Sequence, residues 1–255
     1  TGQFGKFFGT YRNSRWYVEQ REFYEAEAER LGFAKVSELK LAVALRIKEY
    51  VRRGGFLFAM CSATDSYDIA LAAADTDICD EVYDGDGVDP DYEKKIDYSA
   101  SLAFTGFRIY TSPTIYEYSN IDTTPLDNTR AGGADDYFSL FTFSAKYDPV
   151  PTMLTQNHVA VVHNFMGQTS GYRKKLIKKS VVIMGHNQAR DEAVYIHGNE
   201  GEGTFTFLAG HDPEDYQHFV GDPPTDLSLY PNSPGYRLIL NNILFPAAKK
   251  KKRKT

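Results

Sequence analysis

The chain has 255 residues, 42% of them hydrophobic and 25% charged, an ordinary globular composition with enough apolar content for one large domain or two small ones. No apolar run is long enough to span a bilayer, and two cysteines, Cys61 and Cys79, exclude a disulfide framework and a cysteine-built zinc cluster. Net charge is −5, and the six cations of residues 249–254 leave −11 on all the rest, a poor balance for a body that binds nucleic acid.

Residues 2–11, rich in glycine and aromatics, read as a loop. Ser14 then caps a predicted helix over 15–31 that Gly32 ends. After Ser37, the residues Leu39, Leu41, Ala42, Leu45, Ile47 and Val51 predict a second helix, closed by Gly54 and Gly55. Phe56 to Met60 is an unbroken apolar run, as expected of a strand buried on both faces of a parallel sheet. Ser62 and Thr64 are candidate N-caps, Asp65 suits a first helical turn, and Ile69 to Ala74 continues as helix. The resulting α-β-α unit implies a parallel sheet.

Cys61 stands where that buried strand turns into a helix. Such a turn holds a side chain at the carboxyl edge of the sheet beside the helix's free amides, which favour thiolate over thiol. This is the geometry of a nucleophile elbow. The usual elbow has glycine two residues to either side, and here Ala59 and Ala63 occupy those positions. The alternative is that Cys61 is a small core residue, as most free cysteines are.

Acidic residues crowd from Asp75 to Asp91. Asp-Gly-Asp-Gly-Val-Asp at 84–89 touches a calcium-loop pattern but has Val88 at a ligand position and no closing glutamate, so a solvated acidic loop is expected. Residues 102–110, 114–118 and 137–144 read as strands, and the region of about 84–150 as a β-rich insertion flanking the sheet. His158 and His163, five residues apart, fall on opposite faces of a strand and make a poor ligand pair. Lys174, Lys175, Lys178 and Lys179 suggest a solvated face. A strand over 181–184 precedes a hairpin of 192–197 and 203–210, and the chain ends in a proline-rich loop, a helix over 235–244 and a disordered basic tail at 249–255.

The last strand leads into Gly210-His211-Asp212-Pro213-Glu214-Asp215. In open α/β sheets chemistry gathers beyond the carboxyl ends of strands, and Cys61 and His211 each stand at such an end. Asp212 or Glu214 would orient the imidazole, outlining a Cys–His–carboxylate triad. His218, seven residues on, would share a helical face with His211, so His211, Asp212, Glu214 and His218 also form a candidate metal set, and a backbone-bonded turn histidine is the plainest alternative for His211.

These residues resemble a known family. Phe-Ala-Met-Cys-Ser-Ala-Thr-Asp at 58–65 and Gly-Glu-Gly-Thr-Phe-Thr-Phe-Leu-Ala-Gly-His-Asp at 201–212 are similar to motifs of trehalose-utilisation (ThuA-like) proteins, a branch of the class I glutamine amidotransferase-like superfamily. Nearly the whole chain, including Gly221-Asp-Pro-Pro-Thr-Asp, also resembles a bacterial family labelled asparagine synthetase B, whose members are longer at the front. The resemblance implies an α/β, flavodoxin-like three-layer sandwich over residues 1–248 with a mostly parallel sheet whose first strands are missing. It implies catalysis by Cys61, His211 and Glu214 or Asp212, with Ser62, Thr64, Asp65 and His218 facing a small-molecule substrate. No cofactor, metal or membrane span is expected, and no nucleic acid through the folded body, though the basic tail alone could touch an anionic surface or nucleic acid. The function so implied is cysteine-dependent amide hydrolysis or amide-nitrogen transfer, against a non-catalytic carbohydrate- or small-molecule-binding domain on the same fold.

Overall fold

The computed structural model describes residues 8–115, 117–123, 136–141, 153–163, 165–167, 169–213, 223–244 and 246, and only the backbone of Gln156, Phe165, Met166 and Asp212. Glu214, His218, the basic tail and most of the segment between Asp122 and Val150 lie outside these residues.

Two helices, α1 (Arg15–Arg30) and α2 (Val36–Arg52), form where the apolar spacing predicts them. The expected side-chain cap by Ser14 does not form, its hydroxyl turning back to donate to the Tyr11 carbonyl at 2.6 Å, and Ser37 lies inside α2, where its hydroxyl donates to Asp84 at 3.1 Å. Next come β1 (Phe56–Met60) and α3 (Ser62–Ala72), then two single-turn helices, α4 (Glu81–Asp84) and α5 (Tyr92–Lys95). The strands that follow are β2 (Tyr137–Leu140), β3 (Val161–His163), β4 (Phe165–Met166), β5 (Tyr172–Arg173), β6 (Val182–Asn187), β7 (Glu192–Glu200), β8 (Gly203–Leu208) and β9 (Asp212–Pro213), and α6 (Pro234–Leu244) comes last.

The main sheet runs β1-β8-β7-β6-β2-β3, with β5 beside β7, and β4 and β9 make a separate two-stranded ribbon. The fold is mixed α/β, but the expectation of a mostly parallel sheet is corrected. Among the described strands β1 and β8 are the parallel pair, and the remaining pairings are antiparallel. The cause is connection length. A parallel neighbour needs a long crossover, which β1 and β8 have between them, whereas β7 meets β8 through a two-residue turn after Glu200, paired with Gly203. As the outermost strand described, β1 buries Ala59 while Phe56, Leu57, Phe58 and Met60 stay half-exposed.

Both faces of the sheet are covered. Cross-strand partners Ile196 and Phe207 share one face, where the Phe207 ring lies 6.2 Å from Phe104, a residue tied to α3 through Asp68. Their neighbours Tyr195 and Leu208 face the other way, and the Tyr195 hydroxyl accepts from Asn242 of α6 at 2.8 Å. The core is aromatic: Phe104, Phe138, Tyr172, Tyr195, Phe205 and Phe207 are all fully buried.

Residues 102–110 do not form the expected strand. The Asp68 carboxylate, fully buried, accepts the backbone N–H groups of Leu102, Ala103 and Phe104 at 2.7–2.8 Å, so these amides are not free for a ladder. Single bridges, Phe104 to Ile177 and Ile109 to Ser119, are the pairing there. Strand β2 belongs to the sheet itself, between β6 and β3. Nor are all the lysines after Gly171 solvated: the Lys178 ammonium donates to the Ser101 carbonyl and that of Lys174 to Asp191. Among the described residues no helix is long and apolar enough to cross a membrane.

Candidate active site

The register of the parallel pair builds the site. Met60 lies opposite Leu208, so the residues after each leave the sheet side by side: Cys61 from β1, and Ala209, Gly210 and His211 from β8. Cys61 itself occupies the N-cap position of α3 at φ 57°, ψ −139°, a backbone region that side chains rarely enter. Such a conformation costs about 1–3 kcal/mol and persists where neighbours over-determine it. Here both of its peptide groups are pinned. The Cys61 N–H donates to the Leu208 carbonyl at 2.9 Å, and the Cys61 carbonyl accepts from the Thr64 N–H at 3.1 Å and the Thr64 hydroxyl at 2.7 Å.

Cys61 is 6% exposed, and its sulfur is well provided with partners. Burial alone would raise its pKa. A hydrogen bond to the His211 side chain and that ring's charge, joined by the backbone N–H groups of Thr169 and Ser62, outweigh burial and set the thiol below its ordinary value. The other cysteine has the opposite setting. Burial, followed by the carboxylates of Asp84 and Asp77, pushes Cys79 up to about 11.

A third segment completes the site. A Cβ built on Gly167 would stand 2.6 Å from the Gly210 Cα and 3.1 Å from the Cys61 sulfur, so only glycine fits between them. The Gly210 N–H donates to the Thr169 carbonyl at 2.7 Å, and Gly210 sits at φ 77°, which bends the chain out of β8 toward the sulfur. The ribbon of β4 and β9 pairs Met166 with Asp212, the chain neighbours of Gly167 and His211.

The residues singled out in the sequence divide as follows. Cys61 and the half-buried His211 meet. Asp212 pairs by its backbone in β9, while Glu214 and His218 lie outside the described residues. Ser62, largely buried, presents its amide to the sulfur and its carbonyl to Ser66. Thr64 and Asp65 are fully buried beneath the site rather than at its surface. The Thr64 hydroxyl accepts from the Tyr172 hydroxyl at 3.1 Å, and Asp65 accepts from the Thr169 hydroxyl at 3.2 Å. Gly167, Thr169 and Tyr172 were not singled out. The signal that could have found them is the Gly-x-Thr-x-Gly run at 167–171, which joins two short strands.

Two other features bear on ligands. Asp77, Cys79 and Asp84 bring potential metal-ligand atoms within 4.8 Å of one another. Positive charge is already present there: the Lys35 ammonium lies 3.1 Å from Asp77 and 3.8 Å from Asp84 and bonds Asp86, so part of the acidic loop gathers on a cation while Asp75, Glu81, Asp86 and Asp91 remain exposed. Separately, a cleft of about 690 Å³ opens between α1, α2, α3 and residues 109–118. Tyr17, Tyr67, Tyr83, Tyr110 and Tyr118 line it, with Ser62 and Ala63 at the end nearest the elbow, and Cys61 and His211 are not among its walls.

Comparison with known proteins finds no matching family model, no matching curated protein and no matching solved structure.

Proposed function

We propose that this chain is a cysteine-dependent acyl-transfer enzyme of the glutamine amidotransferase-like kind, acting on a small carboxamide. The observation that carries this reading is the strained backbone of Cys61 with the His211 ring bonded to its sulfur. Strain of that sort clusters at functional sites, and a thiol paired with imidazole is the usual activated nucleophile. The resemblance of residues 58–65 and 201–212 to amidotransferase-like motifs supports the same reading.

In this reading the Cys61 thiolate attacks the carbonyl carbon of the amide and forms a C–S bond. The adjacent amides of Ser62 and Thr169 are available to the charge that develops beside the sulfur. His211, protonated in the resting pair, gives its proton to the nitrogen as the C–N bond breaks, and ammonia or an amine leaves. His211 then takes a proton from water, the water oxygen attacks the thioester, and the carboxylic acid departs with the thiolate restored.

The test is ammonia release from small carboxamides, glutamine and asparagine first, together with the intact mass of the protein during turnover. The reading expects release that Cys61→Ser abolishes and an acyl adduct on Cys61. Release unaffected by Cys61→Ser, or none from any carboxamide tried, would count against it.

A second reading has its own observation, the tyrosine-lined cleft that lies apart from the sulfur. It takes the chain as a binding domain for a sugar or similar small molecule. Thermal-shift screening of Cys61→Ser separates the two: stabilisation by a sugar with no carboxamide turnover in the wild type favours this reading.

A further inference from the structure

We propose that Thr169 is the positioning residue of this site, the tie that aims the Cys61 sulfur at His211. The inference rests on the reading of Cys61 as a nucleophile. Thr169 is fully buried, and each of its polar groups engages a different part of the site. Its N–H points at the Cys61 sulfur. Its carbonyl accepts from the N–H of Gly210, the residue before His211, at 2.7 Å. Its hydroxyl donates at 3.2 Å to Asp65, in the first turn of the helix that Cys61 opens.

Cys61 and His211 come from different strands, and each side chain has rotatable bonds beyond its backbone. Backbone register alone brings them near each other but does not fix the sulfur against the ring. Thr169 joins the nucleophile, its helix and the loop bearing the base through three hydrogen bonds from one residue. The hydroxyl is the group that makes this specific. The N–H and carbonyl belong to any residue at 169, but their placement depends on the bond to Asp65, which is itself fully buried. Gly167, whose Cβ would reach both Gly210 and the sulfur, keeps the same segment pressed against them.

The experiment is the pH dependence of Cys61 alkylation by iodoacetamide in the full chain, with thermal unfolding measured alongside, for the wild type, Thr169→Val, Thr169→Ser and Asp65→Ala. Thr169→Val keeps the shape and removes the hydroxyl. It should raise the midpoint of the alkylation profile by about one pH unit, a roughly tenfold loss of thiolate at neutral pH. Thr169→Ser keeps the hydroxyl and should restore the wild-type midpoint even where the unfolding temperature falls. Asp65→Ala removes the acceptor, cuts the tie from the other side and serves if Thr169→Val does not fold. Simple Coulomb reasoning has the loss of a nearby negative charge lower the thiol pKa, whereas loss of the tie should raise the midpoint. A wild-type midpoint at the value of a free thiol would overturn the nucleophile reading and this inference together. A depressed wild-type midpoint that Thr169→Val, or failing its folding Asp65→Ala, leaves in place would overturn this inference alone.

Discussion

The Cys61 sulfur and the His211 ring are hydrogen-bonded to each other although they lie on strands far apart in sequence, because β1 and β8 are parallel neighbours with Met60 opposite Leu208. An antiparallel pairing of the same two strands would send these residues to opposite ends of the sheet. One parallel contact in a largely antiparallel sheet therefore decides whether the site exists.

Gly167 should tolerate no side chain. A Cβ there meets the Gly210 backbone at 2.6 Å, and backbone cannot swing aside as a flexible side chain would. Gly167→Ala should cost about 1–3 kcal/mol from overpacking. It should also push Gly210 and His211 away from the sulfur, so Cys61 alkylation at neutral pH should slow several-fold. Unfolding and alkylation measured on the same preparation check both effects.

Asp68 should anchor the 101–104 segment. Asp68→Ala strands three buried amides and should cost about 3–5 kcal/mol. Its pH behaviour has a definite sign. Burial raises the Asp68 pKa to about 6, against the pull of the three amides and of Lys178. A carboxyl whose folded pKa lies above its unfolded one contributes stability that is present below about pH 4 and fades as pH rises through 6. The advantage of the wild type over Asp68→Asn, followed by denaturant unfolding, should shrink by up to about 3 kcal/mol between pH 4 and pH 7.

How much of this was legible follows from what local pattern encodes. Helices α1, α2 and α6, strand β1 and the β7–β8 hairpin could be read from apolar spacing and glycine punctuation, because those signals are local. Sheet direction was not legible, since a strand's own residues do not say which neighbour it will take. The segment 102–110 has strand-like composition, but a carboxylate from another helix claimed its amides, and nothing within the segment announces that. At the site, the elbow at Cys61 was legible from its strand-to-helix setting. Thr169 was not, because its role consists of contacts to Asp65, Cys61 and Gly210, all distant in sequence.

Lys35 should hold the acidic loop closed. Its ammonium faces Asp77, Asp84 and Asp86, and the Asp84 side chain is 5% exposed. Lys35→Met keeps the apolar stem but leaves this carboxylate cluster without its cation, at a cost of about 2 kcal/mol. Burial and then Asp77 already raise the Asp84 pKa, with Lys35 lowering it, so in Lys35→Met it should rise further and the deficit should fade as pH falls. Adding Asp84→Asn should recover part of the loss, which a double-mutant cycle in denaturant would detect.

The measurement that bears most directly on the whole account is the titration of the Cys61 thiolate, followed by its ultraviolet absorbance or its alkylation rate, in the wild type and in His211→Ala. His211 is the chief influence lowering this pKa, and burial opposes it. The wild-type midpoint should therefore fall below the roughly 8.5 of a free thiol, and His211→Ala should carry it above that value. A wild-type midpoint at or above 8.5, or one that His211→Ala leaves in place, would contradict the account.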